Sequence, residues 1–276
     1  METINCQICN SNSHKEYIIV KDRFNISDDS FQIVKCKCEF IYLNPRPSEK
    51  EISKYYSNET YSPHSKTSIF YKLAQFFSFR WKYNLINRYA KQNMQILDYG
   101  SGKGEFGSYL EKKGFNVNNY EPILDNLDGS NFLNSNKKYN IITLWHSLEH
   151  IHDLAKALNQ INQSLDKKGY IFLALPNIDA AEKYFFNQNW VAYDAPRHLY
   201  HFNEKSLRKL LSVHGFEIIQ SKTIFQDTFY NIYLSIKSQN IIIKFFKFSF
   251  MSIMSFFTIL FNKNKSSSKL YICVKN

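Results

Sequence analysis

Two periodicities alternate along most of this chain. Short apolar runs with strand character cover residues 95–99, 115–120, 139–144, 169–175, 216–225 and 269–274. Between them, apolar positions recur at helical spacing over 105–113, 153–165 and 204–214. Gly114 and Gly215 stand where the first and last of these helices should stop, and Asn203 stands where the last should be capped. Strands that alternate with helices predict an α/β protein built on a doubly wound, mostly parallel sheet. The last run, 269–274, is expected to return to that sheet as an antiparallel strand.

The remaining segments break this pattern. Residues 1–47 form a cysteine-bearing stretch ending at Asn44-Pro45-Arg46-Pro47, a natural boundary for regular structure. Residues 48–93 read as helical and aromatic, with Tyr55, Tyr56 and Tyr61 ahead of the helix. The predicted division is therefore 1–47, a helical or lid region 48–93, a ligand-binding core 94–228, an apolar basic helical insertion 229–265, and a closing strand 266–276.

Charge refines the picture in one place. The chain of 276 residues carries a net charge of +11, yet residues 229–276 hold seven lysines and no acid. The excess is thus concentrated on a stretch rich in Phe and Ile, and no basic, aromatic-interleaved face appears elsewhere. No nucleic-acid partner is expected. The polar, cysteine-containing N-terminus has no signal-peptide character, and free thiols fit a reducing compartment, so the expected location is cytoplasmic.

The chemistry centres on Asp98-Tyr99-Gly100-Ser101-Gly102-Lys103-Gly104, at a strand-to-helix junction. Small residues there let a ligand approach the backbone, and the following helix offers free N–H groups. Gly102, Gly104 and Gly107 also satisfy a dinucleotide fingerprint, so an NAD-type oxidoreductase or epimerase competes. Asp98 favours a ligand with a cationic end and would repel a pyrophosphate. Glu121, ending the second strand, can take both hydroxyls of a ribose.

In these residues the chain resembles the class I S-adenosylmethionine-dependent methyltransferases, and within them a bacterial branch with an N-terminal zinc-binding element. The matching pieces are the glycine turn, Glu121-Pro122, the run Ile-Thr-Leu-Trp-His-Ser-Leu-Glu-His at 142–150, residues 165–177, and Asp-Ala-Pro-Arg-His-Leu-Tyr-His-Phe at 194–202. The resemblance implies a seven-stranded Rossmann-like sheet and a zinc-ribbon-like N-terminal element. It implies S-adenosylmethionine held by Asp98, Gly100, Ser101, Gly102, Gly104, Glu121, Pro122, Leu144, Trp145 and His146. The segment between Glu121 and Tyr139 is shorter than in the family, so the adenine contact stays unassigned.

Cys6-x-x-Cys9 and Cys36-x-Cys38 provide four thiolates, enough for a closed structural zinc site, although the second pair lacks one spacer residue that the family has. Methyl transfer to oxygen or carbon also needs a base, and His198, His201 and His146 are the candidates. The alternative is that Arg197 and the two histidines of 194–202 hold their loop in place. His146-x-x-Glu149-His150 superficially matches an inverted zinc-protease motif, which its context makes improbable. Glu149 and His150 are read as structural. Tyr55, Tyr56 and Tyr61 are either a lid over the donor or ordinary aromatic core.

Residues 241–261 carry only Lys244 and Lys247 as charges, with a Ser/Thr stripe at 249, 252, 255 and 258. Three readings are open: a helix on a membrane surface, a lid or homodimer interface, and a true span, which the returning strand disfavours. The expected function is methyl transfer from S-adenosylmethionine to a small-molecule acceptor. By resemblance the acceptor is a saccharide, sugar nucleotide or envelope-linked precursor, with oxygen ahead of carbon and nitrogen. A non-catalytic donor-binding scaffold is the reading from another class.

Overall fold

A computed structural model describes residues 1–56, 69–122 and 137–276. The strands are β1 (His14–Lys21), β2 (Ser30–Cys36), β3 (Ile41–Leu43), β4 (Gln95–Tyr99), β5 (Asn116–Tyr120), β6 (Tyr139–Trp145), β7 (Leu165–Pro176), β8 (Tyr200–His201), β9 (Phe216–Thr223) and β10 (Ser268–Lys275). The helices are α1 (Ile69–Ile86), α2 (Glu105–Glu111), α3 (Leu154–Ser164), α4 (Lys183–Phe186), α5 (Glu204–Val213), α6 (Phe225–Ser235) and α7 (Ile241–Phe261).

The main sheet has the order β5-β4-β6-β7-β10-β9. Strands β4, β5, β6 and β7 pair in parallel, and β10 runs antiparallel between β7 and β9. The last strand returns antiparallel, as expected. Six strands of the expected seven lie among the described residues, and 123–136, between β5 and β6, falls outside them. Central strands β6 and β7 read as continuous apolar runs because helices cover both faces. One face carries Ile142, Leu144, Ile171, Leu173 and Tyr271; the other carries Ile141, Phe172, Ala174, Leu270 and Ile272.

Local signals set the helix ends. The Asp153 side chain accepts from the Lys156 amide at 2.9 Å, so α3 begins one residue after the predicted start. Asn203 and Ser206 form a reciprocal capping box on α5. Gly114 and Gly215, at φ +90° and +77°, turn the chain out of the helices before β5 and β9.

A second, four-stranded antiparallel sheet has the order β1-β2-β3-β8. Its last strand comes from the 194–202 loop, through Ile41 opposite His201 and Tyr42 opposite Tyr200. The cysteine-bearing segment and the core thus share a sheet, and Phe40, Tyr200 and Phe202 pack face to face or tilted across the junction. Arg46 adds polar ties: its Nη1 donates to the Tyr200 hydroxyl at 2.7 Å and its Nη2 to the His152 carbonyl at 3.1 Å.

Candidate functional site

The site forms where β4 ends. Gly100, Gly102 and Gly104 all have positive φ (+75°, +56° and +71°), a path closed to most side chains. A Cβ on Gly100 would also collide with the side chain of Ser147, so glycine is required there for space as well as for angle. The turn is pinned to β5 by the Gly100 and Ser101 amides, which both donate to the Tyr120 carbonyl. Gly107 plays a different part. It lies inside α2, where a Cβ would run into Asn119 of β5, and so it serves helix–sheet packing. The Gly102-x-Gly104-x-x-Gly107 spacing therefore follows from two separate demands.

Two acids flank this turn. Asp98 is buried and accepts from the Thr143 hydroxyl of β6 at 2.6 Å. Burial drives its pKa up; Thr143 and the Lys82 ammonium pull it partly back, and Glu121 adds to the upward push. Such a carboxylate gains from a cationic partner and would be further penalised by an anion. Glu121 follows β5, and its Oε2 accepts the Gly102 amide at 2.8 Å, which turns the carboxylate into the loop. Pro122 is the last described residue before 137.

The opposite edge is the end of β6. Leu144 is buried beside Tyr99 in register. Trp145 packs edge-on against Phe106 and Trp81, with ring centroids 5.9 and 6.2 Å away. The Lys82 ammonium, from α1, lies 4.5 Å from the Trp145 ring centre and 5.1 Å from that of Phe106. Burial lowers its pKa to about 8, against the counter-pull of Asp98 and Asp227.

His146 ends the strand with φ +55°, a strained angle for histidine, and its side chain is 40% exposed. Its Nε2 lies 3.1 Å from Asp227 Oδ2 in the first turn of α6, and its Nδ1 lies 3.5 Å from Glu149 Oε1. Burial works against the imidazolium, but the bonds to Asp227 and Glu149 outweigh it and raise the pKa to about 10.

His198 and His201 are placed differently. Both are buried. His198 Nδ1 lies 2.9 Å from the Ala192 carbonyl, and burial first, then His150, lowers its pKa to about 4. His201 sits in β8 edge-on to Tyr193 at 5.7 Å, and burial with His198 lowers it to about 3. Neither presents an open face as His146 does. Arg197 has no exposed surface; its Nη2 donates to Asp22 at 2.7 Å and to Asp194 at 2.8 Å, and its Nη1 to the Tyr55 carbonyl at 3.3 Å. It binds the loop to the N-terminal sheet. Tyr55 is core, edge-on to Phe31, while the Tyr56 hydroxyl reaches His150 Nδ1 at 3.0 Å. Tyr61 lies outside the described residues, as does 123–136, the stretch in which the adenine contact was left unassigned.

Away from this cleft, Cys6, Cys9, Cys36 and Cys38 converge so that their sulfurs all lie within 4.8 Å of one another. The pairs Cys6–Cys38 and Cys9–Cys36 are 3.5 Å apart. Two reverse turns build the cluster. Asn10 (φ +54°) closes the first with its amide on the Cys6 carbonyl, and Glu39 (φ +78°) closes the second with its amide on the Cys36 carbonyl. The single-residue spacer between Cys36 and Cys38 is thus accommodated.

Three groups at the cleft escape a reading of the sequence. Lys82 lies inside an aromatic helix with no motif around it. Asn119 becomes visible only as the neighbour of Gly107. Asp227 had a signal, being an acid placed just after a sheet strand, where ligand sites gather.

Comparison with known proteins agrees with this geometry. Residues 68–221 match the family described as methyltransferase domain. This chain belongs to that family and is an S-adenosylmethionine-dependent methyltransferase. Among solved structures it is similar to a 1,6-didemethyltoxoflavin N1-methyltransferase from Burkholderia thailandensis with bound S-adenosylhomocysteine. The two share 14% identity with a TM-score of 0.51, over 91% of this chain and 96% of that one. A magnesium protoporphyrin IX methyltransferase from Synechocystis PCC 6803 aligns at 12% identity and TM-score 0.47, over 83% and 100% of the two chains. A cyclopropane synthase from Mycobacterium tuberculosis aligns at 12% and 0.47, over 76% and 87%. No curated protein sequence matches the chain.

Proposed function

We propose that the enzyme methylates a small polar acceptor, of the saccharide, sugar-nucleotide or envelope-linked class, at oxygen ahead of carbon or nitrogen. The observation that carries the donor half is the pair of acids around one glycine turn: Asp98 buried and only partly compensated by Thr143 and Lys82, Glu121 clamped to the Gly102 amide. S-adenosylmethionine, when bound, supplies a methyl group already activated on a sulfonium. Asp98 offsets the cationic methionyl end, Glu121 takes ribose hydroxyls, and the Gly100–Gly104 backbone, with Leu144 and Trp145 at the opposite edge, shapes the walls. The residues present fit the group. An NAD-type ligand fits less well, because its pyrophosphate would meet the buried Asp98 carboxylate.

The chain's own contribution to chemistry is positioning. We assign the acceptor contact to His146. It is open to the cleft, sits at the carboxyl end of a central strand, and is backed by Asp227. We read His198 and His201 as shaping the 194–202 loop, a reading that their burial supports.

The cysteine cluster fits a structural zinc ion. Tetrahedral zinc with bonds of about 2.3 Å separates its sulfurs by about 3.8 Å, close to the spacing the fold provides. Four sulfurs leave no open position, so its contribution is to stability.

Calorimetric titration tests the donor assignment. The wild type should bind both S-adenosylmethionine and S-adenosylhomocysteine and not NADH, and Asp98→Asn should weaken the first at least tenfold. Binding of NADH alone would defeat the reading. Incubation with a panel of sugars and sugar nucleotides, read by methyl mass gain, tests the acceptor class; turnover confined to other compound classes would refute it.

A further inference from the structure

Helix α7 is built inside out. Its Ser/Thr stripe turns inward: Ser252 and Ser255 are buried, and Ser249 and Thr258 half-buried. With Ile259 they form the face that meets the protein, and small serines allow α6 and α7 to approach closely. The outer face carries Ile241, Ile242, Phe245, Phe246, Phe250, Ile253, Phe257, Leu260 and Phe261, all exposed, Phe261 to 90%. An amphipathic surface helix has the reverse arrangement, polar outward. A contiguous apolar face of this extent does not stay in water.

The charges say what covers it. Lys244 and Lys247 lie in the first two turns, Lys263 and Lys265 just past the end, and no Asp or Glu occurs from residue 229 to the terminus. Basic groups at both ends of an apolar face match an acidic surface with an apolar interior behind it. Tyr233 of α6 lies beside this face, 6.2 Å from Phe248 and under the Lys244 ammonium at 4.0 Å. A tyrosine half-exposed next to lysine suits the level where headgroups meet acyl chains.

The helix is long and apolar enough to cross a bilayer, but the topology forbids it. Spanning would put Asn240 and Asn262 on opposite sides, about 30 Å apart. Yet β9, which precedes α6, and β10, which begins six residues after Asn262, are hydrogen-bonded neighbours in one sheet. Both ends of α7 must therefore lie on the same side.

We propose that α7 lies flat in the surface of an anionic phospholipid bilayer, its Phe/Ile face immersed and its flanking lysines on acidic headgroups. The docked surface is continuous with the cleft in sequence: Phe225, packed on Phe256 of α7 at 6.3 Å, precedes Asp227, the partner of His146, by two residues. The proposal does not depend on the acceptor assignment, since it concerns where the enzyme sits.

Vesicle flotation of the full chain provides the test, with phosphatidylcholine alone and phosphatidylcholine mixed with phosphatidylglycerol. The wild type should float with the mixed vesicles and progressively less as salt is raised. Phe245→Gln/Phe246→Gln/Phe250→Gln, all at exposed positions, should cut partitioning by about 100-fold or more. Lys244→Gln/Lys247→Gln/Lys263→Gln/Lys265→Gln should abolish the preference for acidic lipid. Unchanged binding of S-adenosylhomocysteine confirms that each variant is folded. A wild type that stays unfloated with both vesicle types overturns the proposal. So does a phenylalanine variant that floats as well as the wild type. A stable dimer in light scattering, broken by the same substitutions and indifferent to vesicles, would assign the face to a second copy and overturn it equally.

Discussion

Replacing Arg197 by methionine probes the joint between the N-terminal sheet and the core. The guanidinium has no exposed surface and contacts two carboxylates, Asp22 at 2.7 Å and Asp194 at 2.8 Å, both nearly buried themselves. Methionine keeps much of the stem volume, so the cavity contribution is small and the loss is mainly electrostatic. Removing one partner of a buried ion pair costs about 3–5 kcal/mol, because the other charge stays buried without compensation. Arg23 remains 3.1 Å from Asp194 and offsets part of this, so a value near the lower end, about 3 kcal/mol, is expected at neutral pH. Arg197→Lys should fall between the two, since one ammonium cannot span both carboxylates. The neighbouring arginines hold the Asp194 pKa well below the carboxylate range, despite burial acting the other way. A depressed pKa gives stability that is complete above the unfolded value of about 4 and is lost as pH falls through the folded one. The variant lacks most of that gain, so the gap between the two proteins should narrow below about pH 4. Urea unfolding followed by tryptophan fluorescence at neutral and acid pH measures it. A neutral gap under about 1 kcal/mol, or one that does not close in acid, would show that the arginine is not a buried counter-ion.

Other perturbations reach the remaining parts. Asp227→Asn removes a partner of His146, whose folded pKa near 10 exceeds its unfolded value near 6.5. The resulting destabilisation, held to about 1 kcal/mol by the ring's exposure, should be complete below about pH 6.5 and vanish above about pH 10 in urea titrations. Gly100→Ala forces a side chain into φ +75° against Ser147, so a loss of about 1–3 kcal/mol and of donor binding is expected by denaturation and calorimetry. Metal analysis should find close to one zinc per chain in wild type and little in Cys36→Ser, with a lower melting temperature in the variant. Full thermal stability of metal-free wild type would count against a structural ion.

What the sequence reveals and conceals divides along range of interaction. The central strands were readable because β6 and β7 are apolar on both faces. Helix ends were readable because Asp153, Asn203, Gly114 and Gly215 act within a few residues. The glycine turn and its two acids were readable because strand, turn and helix follow in order. The cysteines were readable as a set, although the turn at Glu39 that closes the one-residue spacer was not. By contrast, β8 is only two residues long and has no periodicity of its own; it exists because β3 offers an edge. Asp22 and Arg197 are 175 residues apart and meet only in the fold. The position of the 194–202 histidines after a sheet strand was readable, whereas their burial depends on how that loop folds under the N-terminal sheet. For the same reason the Ser/Thr stripe of α7 was visible as a stripe, but which way it faced was not.

The strand shared between β3 and β8 has a practical consequence. The proline-rich stretch after Leu43 looks like a place to cut, yet trimming there would strip the loop at 200–201 of its only β-ladder neighbour among the described residues. It would also strand Arg197 beside one lost carboxylate. Modular grafting would meet the same obstacle, since a transplanted cysteine module would arrive without the edge it was shaped to complete. The two pieces are interlocked like halves of a clasp, and any hybrid would have to carry both.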